Sequence, residues 1–167
     1  MTSRVRVVVY DIAHKFPQIA RNYLSKHNFP YVFHTEIQAF GCTYLFANGI
    51  IRYEHQYQTC LVRLNIHNLG TTDKTQETFE QWLRTRIADY APEKYHILKW
   101  NCTDFANDVS LYLTGQPIPQ YIYSQSKLLR GSFMGQLSRP IFSLIYSKGY
   151  RGDGHEGVLF PEHLRHP

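Results

Sequence analysis

No stretch of this sequence is apolar for the length of a bilayer crossing, so a membrane-spanning helix is excluded. Cysteine is scarce, with three residues at 42, 60 and 102. An odd count without framework or zinc-ribbon spacing excludes a disulfide scaffold and points to a reducing, intracellular compartment. A strong charge field is also missing. The 18 Lys and Arg against 13 Asp and Glu leave a net charge of +5. They are scattered, so no nucleic-acid partner is expected, although the surplus suits steering of an acidic protein partner. There is no Walker loop, G-x-G-x-x-G turn, G-x-S-x-G elbow or H-E-x-x-H helix. The motif grounds for nucleotide, dinucleotide, serine-hydrolase and zinc-peptidase chemistry are therefore absent. His155, His163 and His166 lie in a Gly- and Pro-rich end, which makes a poor metal cage. Neither metal nor cofactor is expected.

What is present is a packed domain. Aromatics reach 15%, with 13 Tyr and 10 Phe, too many for a disordered chain. A length of 167 residues fits one domain with a sizeable core. The reading is a domain over 1–148 and a flexible tail over 149–167. The opening "MTSRVRVVVYDI" holds an apolar run too short for a secretory leader and predicts a strand.

Further strands are expected over 31–40 and 43–51, paired as a hairpin about Gly41, and over 58–66. A short helix is expected over 15–28, with Pro17 near its start. The helix over 71–92 has Asp73 as its expected cap and Gln76 in the capping-box position. Phe79, Trp82, Leu83 and Ile87 recur along it at helical spacing. A second helix over 102–115 carries Phe105, Val109, Tyr112 and Leu113 on one face and stops at Gly115. Two more helical stretches follow, "YSQSKLLRG" and "FMGQLSRPIFSLIYSKG". Strands first and helices later favour an α+β fold with an antiparallel sheet over a doubly wound parallel one.

Cys102, in "KWNCTDFAND", sits where that second helix begins. A helix N-terminus favours a thiolate through its dipole and its free N–H groups, and the same groups can hold an oxyanion. Asn101 is a cap or an oxyanion donor. Trp100 is a cleft wall or a core residue. Asp104, in the first turn, suits the helix and opposes the thiolate. The base must come from elsewhere. In "YVFHTEIQAF", Tyr31, Phe33, Thr35, Ile37 and Ala39 share one strand face, and Val32, His34, Glu36 and Gln38 share the other. His34 is thus on the more polar face of a rigid strand. Glu36 is a candidate to orient it, although a same-face neighbour is often too far for a direct bond. On the residues alone a lone cysteine at a helix start is more often a buried structural thiol than a nucleophile, and Cys42 and Cys60, which lack the helix-start feature, read as structural.

Several segments together resemble the PPPDE superfamily, and most closely its DeSI branch of deSUMOylating isopeptidases. They are "VYDIAHKFPQIARNYL", "FHTEI", "YLFANGI", "YHILKWNCTDFANDVSLYLTGQPIPQYI" and "FMGQLSRPIFSLI", in that order from about Val5 to Ile145. The resemblance implies a papain-like cysteine peptidase fold in circularly permuted order, with histidine preceding cysteine. It places His34 and Cys102 on the family's catalytic pair, usually a dyad that needs no third member. It implies isopeptide cleavage between SUMO or ubiquitin and a protein lysine. The same dyad also serves S-palmitoyl thioester hydrolysis in the family, with S-acylated proteins as substrates. A homodimer and a cytoplasmic or nuclear location are implied as well. The "FANGI" loop lacks a glycine frequent in the family, the segment 52–58 is short, and the tail after Tyr146 has no counterpart. Rival readings are a non-catalytic binding module and a dimeric scaffold of the same fold.

Overall fold

β1 (Ser3–Asp11) shows why the core has two sides. Val7, Val8 and Val9 are all buried, although successive strand residues face opposite ways. A strand covered on both faces needs no apolar–polar alternation. Val5, Val7 and Val9 join one cluster with Phe79, Leu83, Phe105 and Val109. Val8 and Tyr10 join another with Ile12, Phe16, Leu24, Leu61 and Leu98. This computed structural model describes residues 2–47, 49–54, 61–96, 98–131 and 158–159.

Among the described residues the remaining strands are β2 (Phe33–Ala39), β3 (Cys42–Ala47), β4 (Gly49–Glu54), β5 (Val62–Thr72) and β6 (Val158–Leu159). They form one sheet in the order β5-β1-β2-β3-β4-β6, and every pairing is antiparallel. The helices are α1 (Gln18–Lys26), α2 (Gln76–Arg86), α3 (Cys102–Thr114) and α4 (Gln120–Gly131). The architecture is α+β with an antiparallel sheet, as the order of strands and helices predicted. β6 falls within the expected tail and pairs with β4 through Ile51 and Arg52. The expected helix over "FMGQLSRPIFSLIYSKG", residues 55–58 of the short segment 52–58, Cys60, and His155, His163 and His166 lie outside the described residues.

The β2–β3 hairpin turns at Phe40 and Gly41, with φ of 55° and 74°. Two positive φ values are what a tight hairpin turn needs to match strand twist. Phe40 tolerates the left-handed region because its ring packs on Phe79, 5.8 Å between centroids. The stretch 43–51 is not one strand. It folds back at Gly49, φ 96°, so that Ala47 pairs with Gly49 and Phe46 with Ile50. The expected cap at Asp73 is also corrected. β5 runs to Thr72, and Thr75 is the residue whose hydroxyl accepts from Thr78 N–H at 3.1 Å. That helix ends at Arg86, and Pro92 instead opens a short 3₁₀ turn over Pro92–Lys94.

The site depends on one irregularity of the sheet. β2 pairs with β1 from Phe33 to Gln38 but with β3 only from Ile37 to Ala39. Among the described residues the first half of β2 therefore has no strand on its β3 side. Its backbone donors there must be satisfied some other way.

Candidate active site

The sequence around Cys102 encodes a tightly capped helix start. Asn101 is the N-cap, and its side-chain oxygen accepts from Thr103 N–H at 2.8 Å. Asp104 completes the capping box by accepting from Asn101 N–H at 2.9 Å. The Asn101 side chain also takes the Asp104 N–H, and the Asn101 carbonyl takes Phe105 N–H at 3.1 Å. Of the four donors that every helix start leaves over, the cap uses three and spares that of Cys102. At the other end Gly115, φ 71°, supplies the left-handed C-cap. Asp104 thus serves the cap with its charge, and Asn101 is a cap whose carbonyl oxygen is already committed.

This helix start is docked on the open edge of β2. At Phe33 the missing β3 neighbour is replaced by a side chain. Gln125 of α4 accepts from Phe33 N–H at 2.8 Å and donates to the Tyr31 carbonyl at 2.9 Å. Two residues on, the Thr35 N–H hydrogen-bonds the Cys102 thiol. Two more, and regular pairing with β3 begins at Ile37. The nucleophile candidate thus occupies a gap in a β-ladder, where a carbonyl oxygen would otherwise sit.

His34 projects from the same strand and meets the thiol from beside. Its side chain is fully buried and Cys102 is 3% exposed. Burial opposes charge on both groups. It is outweighed by their mutual attraction and shared hydrogen bond, which hold the imidazole well above the usual histidine range and the thiol below the usual cysteine range. The Thr35 backbone and hydroxyl lower the thiol further. The Thr35 hydroxyl is buried and has no partner in full hydrogen-bond geometry, which leaves it free to turn to a thiolate. Cys42 provides the contrast. Burial and then Glu54 push its thiol up, so it is the poorer nucleophile of the two described thiols.

Glu36 lies 3.5 Å from His34, Oε1 to Nε2. That is longer than a good hydrogen bond but well inside ion-pair range. With Nε2 turned to Glu36, Nδ1 is the ring nitrogen left for the thiol. The "polar face" expected for this half of β2 is in fact interior: His34 and Glu36 face Tyr10 and Val8 of β1, and both are buried. Trp100 packs into the core margin rather than standing apart. Its indole N–H donates to the Asp89 carbonyl at 2.8 Å, and its ring stacks on Tyr90 at 5.1 Å. Sequence reasoning brought together His34, Cys102 and Asn101 but missed two contributors. Thr35 was readable only as a face assignment. Gln125 lies 92 positions from the residue it caps, and no local pattern signals such a contact. Among the described residues no cluster of three metal-ligating side chains occurs, and no helix is long and apolar enough to cross a membrane.

A family model described as "PPPDE putative peptidase domain" matches residues 3–141. A Xenopus laevis protein named Desumoylating isopeptidase 1 is 27% identical over 143 residues, covering 84% of this chain and 85% of the relative. The Homo sapiens protein of the same name is 26% identical over 143 residues, with coverage of 84% and 85%. A DeSI-like protein of Arabidopsis thaliana is 30% identical over 111 residues, 61% of this chain and 47% of that protein.

Proposed function

The chain belongs to the PPPDE peptidase family, and on that premise we propose that it is a thiol isopeptidase releasing SUMO-type modifiers from protein lysines, with Cys102 as nucleophile and His34 as base. One observation carries the reading. A buried thiol and a buried imidazole meet at a helix N-terminus, and each favours the other's charged form. The names of the Xenopus and human relatives direct the choice of modifier.

The reaction follows from the groups in place. The Cys102 thiolate adds to the carbonyl carbon of the isopeptide bond. The developing oxyanion takes the Cys102 N–H, the first-turn donor that the cap spares. His34 gives its proton to the lysine nitrogen as the C–N bond breaks, which leaves a thioester on Cys102. Neutral His34 then takes a proton from water, and the hydroxide displaces the thiolate and frees the modifier's carboxylate. The proton left on His34 restores the thiolate–imidazolium pair.

The test is cleavage of a SUMO conjugate, set beside a ubiquitin conjugate and an S-acyl peptide. The expected result is SUMO release that is lost in Cys102→Ala and falls by at least about 10³-fold in His34→Ala. Full activity in Cys102→Ala refutes the mechanism. Turnover of the S-acyl peptide alone makes the protein a thioesterase and overturns the isopeptidase assignment.

A further inference from the structure

Glu36 is a carboxylate buried inside the fold. It is 3% exposed and lies across from Val8 of β1 in the strand register. Among the described residues its one ion-pair contact is the His34 ring, 3.5 Å away. A carboxylate taken out of water is costly unless a cation accompanies it. The nearest candidate is His34, whose Nε2 faces the Glu36 carboxylate. The two side chains are fixed relative to each other because they alternate on one face of a paired strand, two residues apart. Tyr10 is the other titratable ring facing His34, 6.3 Å between centroids, and Cys102 faces it from α3. No basic side chain figures among the groups acting on His34.

We infer that Glu36 is a positioning residue that makes the Cys102–His34 pair a triad: its carboxylate holds the Nε2–H of His34, fixing the ring with Nδ1 toward the thiol and stabilising the imidazolium. The arrangement has the logic of the acid that orients histidine in hydrolytic triads, with the acid on the histidine's own strand. This inference rests on the thiol-hydrolase reading for its catalytic consequence, but the ring geometry it describes stands apart from any substrate.

The test reads the His34 ring by nitrogen-15 NMR as a function of pH, with no substrate present. In Glu36→Gln, of nearly the same size, the midpoint of the His34 titration falls by about 1–3 pH units relative to the wild type. In Glu36→Asp it falls by less. With SUMO conjugate, Glu36→Gln lowers kcat with KM little changed, and the alkaline limb of kcat moves down with the ring. An unmoved His34 midpoint in a folded Glu36→Gln protein overturns the inference. Should Glu36→Gln fail to fold, Cys102→Ala supplies the readout. With the thiolate gone, His34 remains protonated at about pH 7.5, a unit above the free-histidine value, only if Glu36 holds its charge. A neutral ring there overturns the inference. If the ring titrates as expected but no conjugate is cleaved by the wild type, the triad stands and the isopeptidase assignment falls.

Discussion

Thr35→Val asks what one hydroxyl is worth to the site and to the fold. The Thr35 hydroxyl is fully buried and turns to hydrogen-bond the Cys102 sulfur. In the thiolate–imidazolium pair that is a bond to a charged group, worth about 1.5–3 kcal/mol. Valine keeps the shape and the strand preference while removing that donor. The variant is therefore expected to lose about 1 kcal/mol of stability at neutral pH. A chain of this size converts that into a melting-temperature fall of about 2–4 °C. Reactivity moves the same way. The hydroxyl is one of the groups that lower the Cys102 thiol, so its loss raises the thiol again and reduces the thiolate present in mildly acidic solution. Each unit of such a shift removes about tenfold of the thiolate below the midpoint. Differential scanning fluorimetry reads the first effect, and alkylation of Cys102 by iodoacetamide at about pH 6, followed by mass spectrometry, reads the second. A higher melting temperature would mean that the hydroxyl is buried without a stabilising partner. Unchanged alkylation would mean that it does not address the sulfur. Either result refutes the argument.

Asn101→Asp keeps the cap acceptor but buries a carboxylate at a position 3% exposed, next to Asp104, so its urea midpoint is expected to report a loss of about 1–3 kcal/mol. It adds a negative charge beside Cys102, so thiol alkylation at about pH 6 should slow severalfold; a rate equal to wild type would show that the cap position does not sense the thiolate. A third test concerns pH and the fold. Although burial opposes it, hydrogen bonds from Gln76 and Arg52 hold the Glu80 carboxyl below its ordinary value, with Arg52 at 2.8 Å. A lowered folded value means stability that is complete above the free carboxyl range and is lost as pH falls through the folded value. Glu80→Gln should therefore be less stable than wild type at neutral pH and lose less on acidification, as urea midpoints at about pH 7 and pH 3 will report. Parallel losses in the two proteins would disprove the coupling.

How much of this was legible in the sequence depended on how local the signals were. α3 was readable because Asn101, Asp104 and Gly115 lie within a turn of the ends they define. The valines of β1 were readable because β-branched residues in series suit a strand buried on both faces. The Ala47–Gly49 reversal was legible in the Asn-Gly pair at 48–49, a strong sequence signal for a tight hairpin turn. The apolar run on either side, buried along all of β3, outweighed it and made 43–51 read as one strand. The Asp73 cap was plausible locally, but pairing of Thr72 with Ser3 holds the chain extended and moves the helix start to Thr75. His34 and Glu36 were read as a polar face because their side chains are polar. They lie across from Val8 and Tyr10, which pack with Leu24, Leu61 and Leu98 from three separate parts of the chain, and no strand-level pattern contains those partners.

The deepest point the sequence could not reveal is that the site is made from a fault in the sheet. An antiparallel strand has backbone donors along both edges, and each must be met. Full pairing of β2 with β3 would meet the Thr35 N–H with a neutral carbonyl oxygen and leave the cysteine no place on the edge. Because pairing stops at Ile37, that donor is left for the sulfur, and Gln125 closes the gap at Phe33. A neutral thiol is a weak acceptor, whereas a thiolate is a strong one, so the vacant donor rewards ionisation specifically. His34 supplies the compensating charge from the adjacent position on the same strand. Sheet continuity and nucleophile activation therefore compete for one N–H, and ending the β2–β3 ladder early resolves the competition in favour of chemistry.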